Sequence, residues 1–166
     1  MKTFFRYTAL VSLMFTVLSC GKESQDSFAF LDSSKSAYTF LKNTQASNEA
    51  NLLRSTSYSA PFEITKVERN KEQLNITVSY PDDCGDSRFE VIWNGMTLES
   101  YPEIVFFYLR RVSDCKTSQK PAVRVLSVNL TEKLGDAALA QRVKVILCNA
   151  SKKANTENSD ISVSSN

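Results

Sequence analysis

The sequence predicts an all-β domain: a small antiparallel β-sandwich, Ig-like or related, with one short helical crossover. Three observations carry that expectation. From Pro61 onward, six runs rich in Val, Ile, Leu and aromatic residues recur between polar turns. One of them, Leu74 to Tyr80, alternates strictly, with Leu74, Ile76, Val78 and Tyr80 on one face and Asn75, Thr77 and Ser79 on the other. Only one stretch of this region, Thr131 to Gln141, has helical composition. A chain of 166 residues with 42% hydrophobic and 23% charged residues suits one packed domain rather than a disordered chain.

Taken in order, Phe62 to Glu68 and Leu74 to Tyr80 flank the polar stretch Arg69 to Gln73 and read as a hairpin. Arg88 to Trp93 follows, closed by Asn94-Gly95, with Phe89, Val91 and Trp93 facing the core and the Trp93 indole N–H needing a partner there. Next come Glu103 to Val112, ending near the pair Arg110-Arg111, and then Ala122 to Leu130. Such an arginine pair is expected to face solvent and blunt a sheet edge. Gly135 weakens the helix of Thr131 to Gln141, and Arg142 to Asn149 closes the domain with Val143, Val145 and Leu147 inward. The domain therefore spans 61–150. Residues 151–166 carry only Ile161 and Val163 as large apolar side chains and read as a disordered C-terminal tail.

Ahead of the domain, residues 20–60 are rich in Ser, Asn, Thr and Gln and read as a tether. Two aromatic clusters interrupt it, Phe28-Ala29-Phe30-Leu31 and Tyr38-Thr39-Phe40-Leu41, and Ala46 to Arg54 suits a short helix. Either a partner captures these clusters or they pack back on the domain, and packing is the commoner use of such residues.

Residues 1–19 have the form of an export signal. Lys2 and Arg6 precede an apolar run from Ala9 to Leu18, too short to span a bilayer. The run ends in Val17-Leu18-Ser19-Cys20, which resembles the lipobox of bacterial lipoproteins. That resemblance implies diacylglycerol on Cys20, a membrane partner through the N-terminal lipid and, with Gly21 rather than Asp after the cysteine, carriage to the outer membrane. An ordinary signal peptidase cut at the same bond is the alternative and would leave Cys20 a thiol. Loss of the leader removes Lys2 and Arg6, leaving 18 of the 20 basic residues against 18 acidic ones. A neutral mature chain offers nothing to nucleic acid.

The absence of histidine excludes Ser/His/Asp triads and His-ligated zinc, and no cofactor motif is present. Export favours a disulfide among Cys84, Cys115 and Cys148. Cys84 and Cys115 lie in loops past strand ends and are the expected pair, with Cys148 left as a free thiol on the face shared by Arg142 and Lys144, the only groups placed to activate it. Asp82, Asp83 and Asp86 are weak candidates for calcium, because Asp and Gly are also ordinary turn formers. Glu90, Glu99 and Glu103 complete the stock of carboxylates considered for hydrolysis. The function expected is that of an envelope-anchored lipoprotein, a non-catalytic binding or structural module with an envelope protein as partner. The alternative is a small periplasmic ligand- or calcium-binding module, or a carboxylate-based hydrolase. Non-reducing peptide mapping of membrane-extracted protein is expected to find diacylglyceryl on Cys20, a Cys84–Cys115 bridge and Cys148 unbridged. An unmodified Cys20, or Cys148 in a bridge, would overturn the corresponding assignment.

Overall fold

The computed structural model describes residues 37–54, 56, 58–81, 87–114 and 121–165. Cys20, Cys84, Cys115, Asp82, Asp83, Asp86 and the cluster around Phe30 lie outside the described residues. The strands are β1 (Thr39–Lys42), β2 (Glu63–Asn70), β3 (Gln73–Pro81), β4 (Arg88–Trp93), β5 (Ile104–Val112), β6 (Pro121–Asn129), β7 (Lys144–Asn149) and β8 (Asp160–Val163). Three helices accompany them, α1 (Thr44–Leu52), α2 (Leu130–Leu134) and α3 (Ala137–Arg142).

The strands form two sheets, a five-stranded one ordered β1-β4-β5-β7-β8 and a three-stranded one ordered β2-β3-β6. Their apolar faces contribute to one buried cluster, in which Leu74, Ile76 and Val78 of β3 meet Phe89 and Val91 of β4, Phe107 and Leu109 of β5, and Val145 and Leu147 of β7. Strict alternation along β3 thus becomes strict alternation of burial. The domain is mostly β, as expected. Trp93 belongs to its core and donates its indole N–H to the carbonyl of Met96 at 2.9 Å.

The strand order corrects the expectation of an antiparallel arrangement. β1 runs parallel to β4, and β5 parallel to β7, while the β4/β5 and β7/β8 pairs are antiparallel. The cause lies in the connections. Between β1 and β4 the chain builds the hairpin of β2 and β3, and between β5 and β7 it builds β6, in both cases in the other sheet. Each return therefore arrives by a long crossover, the kind of link that parallel neighbours require.

The expected single helix is two. Asn129 caps α2 through its side chain on the Glu132 N–H, and Gly135 ends α2 in the left-handed conformation, φ 77°. Asp136 then caps α3.

Both flanks of the expected domain also differ. Residues 39–54 are not tether: Phe40 meets Phe107 edge to face at 5.7 Å, and the Tyr38 hydroxyl donates to the carbonyl of Ser127. Helix α1 starts at a side-chain cap from Asn43 and buries Ser47 and Ala50. At the other end the supposed tail supplies β8, pairing Asp160 to Val163 with Cys148 to Val145. Four residues give too short a pattern for alternation to reveal a strand, so packing rather than local propensity defines both. Phe40→Ala is expected to lower stability by about 2 kcal/mol in urea denaturation. An unchanged midpoint would show that β1 is not held by its core contact.

Candidate functional site

The outer face of the five-stranded sheet carries a second apolar cluster. Ile92, Tyr108 and Cys148 lie on it beneath Ala50 of α1, with Leu41, Phe106, Ile146 and Tyr58 around them. At its margin is a polar group built from distant parts of the chain. Arg54, only 7% exposed, ion-pairs with Asp160 Oδ1 at 2.9 Å and donates to the Ser159 carbonyl at 2.9 Å. The Ser159 hydroxyl and the Cys148 thiol also hydrogen-bond the Asp160 carboxylate. Arg54 Nε is buried with no hydrogen-bond partner among the described residues.

This arrangement quiets Cys148. Burial, followed by the hydrogen bond and negative charge of Asp160, pushes its thiol well above the ordinary range, so a thiolate does not form near neutral pH. The two cations considered as activators lie elsewhere. Arg142 ends α3 and pairs with Glu103 at 2.9 Å, and Lys144 sits four residues back along β7, about 13 Å from Cys148 at the ordinary strand rise.

Two of the carboxylates considered for hydrolysis are separated and paired. Glu90 lies opposite Arg110 in the β4/β5 ladder and accepts from its Nε at 2.6 Å, while the Arg110 guanidinium stacks over Tyr58. Glu103 lies just before β5, about 23 Å along that strand from the level of Glu90, beyond the 9.5 Å or so that a glycosidase pair spans. Among the described residues no cluster of three or more Cys, Asp or Glu could hold a metal ion. Asp82, Asp83 and Asp86 lie outside that set.

Arg110-Arg111 does not blunt a sheet edge, because β5 is the middle strand of its sheet. Arg111 is buried and donates to the carbonyl of Pro61 at 2.9 Å, to that of Pro81 and to the Ser87 hydroxyl, with its guanidinium 5.0 Å from the centre of the Tyr80 ring. Arg124 lies 5.5 Å from that ring and donates to the Ser87 carbonyl. Beside this group is an open groove of about 350 Å³, lined by Pro61, Phe62, Tyr80, Pro81 and Pro121, with Glu63 at its side held by Lys152 at 2.5 Å.

Comparison with known proteins adds no family. No family model matches the chain, and no curated protein matches it. Among solved structures it is similar to a protein of unknown function from Bacteroides vulgatus (11% identity, 78% of this chain and 58% of that one, TM-score 0.48). It is also similar to a NigD-like immunity protein from Bacteroides caccae (14% identity, 76% and 58%, TM-score 0.46) and to a "putative lipoprotein" from Bacteroides fragilis (8% identity, 78% and 70%, TM-score 0.48). The chain spans 58% of the length of each of the first two.

The roles of Arg54 and Asp160 are not visible in sequence, since each sits in a segment whose polar composition reads as linker. The nearest signal is that each adjoins a short apolar run, Leu52-Leu53 and Ile161 to Val163.

The titration of this cluster sets a pH profile. Burial alone would raise Asp160, but hydrogen bonds from Cys148, Arg54 and Ser159 and the charge of Arg54 outweigh it and hold its carboxyl below the ordinary 3.8. Its contribution to stability is therefore present above that pH and lost as pH falls through the folded value. Cys148 and Tyr108 shift the other way, Tyr108 to about 12 mainly by burial, so stability falls once pH rises past 9.0 for an ordinary thiol and 10.0 for an ordinary phenol. Asp160→Asn is expected to cost about 2 kcal/mol at neutral pH and less in acid. Cys148→Ser is expected to delay the alkaline loss to about one pH unit higher, toward the phenol onset. Thermal melts from pH 3 to 11 that superimpose for wild type and both variants would refute this account.

Proposed function

We propose that this chain is a bacterial envelope lipoprotein, anchored through Cys20 and carried to the outer membrane. Its domain, read as a β-sandwich of mixed strand order, binds or braces another envelope component without catalysing a reaction. The observation that carries the anchoring is Val17-Leu18-Ser19-Cys20 at the end of the apolar run of the leader. The non-catalytic reading is supported by how the reactive groups are used: Cys148 is held as a thiol, and Glu90, Glu103 and Asp160 are each engaged by an arginine. A nucleophile or general base needs a free, poised group, and these three carboxylates and the thiol serve packing instead.

Density fractionation of intact cells tests the anchor, and cross-linking before mild-detergent extraction tests the partner. Wild-type protein is expected in the outer-membrane fraction, cross-linked to one envelope protein, and Cys20→Ser in the soluble fraction. A Cys20→Ser variant that stays with the membrane removes the lipid reading. Saturable calcium binding by calorimetry that is lost in Asp82→Asn or Asp86→Asn moves the function to a cation-binding module.

A further inference from the structure

Seven large apolar side chains stand exposed among the described residues, and three of them share the loop between β4 and β5: Met96, Leu98 and Tyr101, at 62%, 51% and full exposure. This loop is braced. Leu98 and Ile104 exchange backbone hydrogen bonds at 2.8 and 3.3 Å, Ser100 N–H donates to the Leu98 carbonyl, and the Ser100 hydroxyl donates to the Pro102 carbonyl at 2.7 Å. At its base the Met96 N–H donates to the Asn94 side chain, and the Met96 carbonyl receives the Trp93 indole. The exposed side chains therefore sit on a preorganised platform, and ordering them on contact costs little.

We propose that this loop rests on the lipid surface to which the chain is anchored, and the proposal rests on the anchoring reading above. Three observations select a bilayer. The first is reach. Eighteen residues separate Cys20 from Thr39, at most about 65 Å when fully extended, so an anchored domain is confined near the surface. The chain enters at Thr39, opposite Glu90, about 10 Å along β1 from the loop end at Lys42 and Trp93, a distance well within that reach.

The second is chemistry. Leucine and methionine offer apolar contact and tyrosine an amphipathic ring, a set that suits the zone where headgroups meet acyl chains. The third is size. Three side chains fall far short of the roughly 20–30 residues a side of a stable protein interface, whereas a tethered contact acts at an effective concentration on the order of millimolar and needs far less surface.

Charge is balanced here. The loop has two acids, Glu99 and Glu103; Glu103 pairs with Arg142, and Lys42 lies over the Trp93 ring at the loop's base, 5.0 Å from the centre. Contact should thus depend little on salt or on anionic lipid.

The test uses full-length, lipid-modified protein in phosphatidylcholine vesicles with or without brominated acyl chains, which quench an inserted indole. Wild type supplies the Trp93 baseline. The tryptophan introduced by Tyr101→Trp is expected to lose emission in brominated vesicles, equally at low and high salt. Adding Met96→Ser and Leu98→Ser, with an unchanged melting temperature, is expected to restore it. Protein that floats with the vesicles but is not quenched overturns the proposal, and leaves the loop facing water or a protein partner. Quenching that survives both serine substitutions overturns it as well. Protein that does not float refutes the anchoring reading, and this inference with it.

Discussion

The open ends of the stack of two sheets set the central constraint on this fold. Where the chain crosses from one sheet to the other it turns main-chain carbonyls toward the interior, and a buried carbonyl without a donor is costly. A guanidinium answers at each end. Arg111 reaches the carbonyls of Pro61 and Pro81, which bound β2 and β3, and Arg69 reaches those of Lys71, Ala140 and Val143 at the opposite end. Asn149 adds a third link, donating to the Phe62 carbonyl at 3.0 Å while accepting from the backbone and hydroxyl of Ser151. Each of these side chains therefore ties more than one segment to the core at the point where the chain crosses. A forked, planar donor suits the task, and lysine would not reproduce it.

The central strands were legible because burial is periodic. Leu74 to Tyr80 and Phe89 to Trp93 place a large apolar residue at every second position, and the structure buries that set. Trp93 found the partner that its position demanded. The flanking strands were not legible, since β1 and β8 have four residues each and bury side chains only in part. Strand direction was hidden for a different reason: alternation says which face is buried but not which neighbour lies alongside, and β5 and β7 become partners only because β6 leaves for the other sheet. Arg54 and Asp160 meet across more than a hundred residues, a separation at which composition carries no information. Arg111 was visible as an arginine beside an apolar strand, yet the same pattern suits a solvent-facing pair, and only the central place of β5 decides between them.

Short strands at both margins of the five-stranded sheet also limit its exposed backbone. A long, flat edge invites pairing with another chain, and four-residue strands offer little template. The Arg54–Asp160 pair pins the last of them from the side, so the C-terminal strand is secured by an ion pair as well as by its ladder. Cys148 lies beneath that pair, level with Tyr108 in the β5/β7 ladder, and is shielded by the same contacts.

The parallel pairing of β1 with β4 has a mechanical side. A pull on the chain from beyond Thr39 passes through Tyr38 into the first residue of β1, and its component along the strand tries to slide β1 past β4. A ladder loaded in that direction shares force across all of its bonds at once, whereas a strand peeled from its end breaks them one at a time. Behind the ladder stand the Phe40 ring against Phe107 and the Lys42 stem packed against Gly95. Resistance to forced unfolding is a matter of rate rather than of equilibrium stability. A domain loaded in this way holds its core closed for longer than one whose edge strand is peeled.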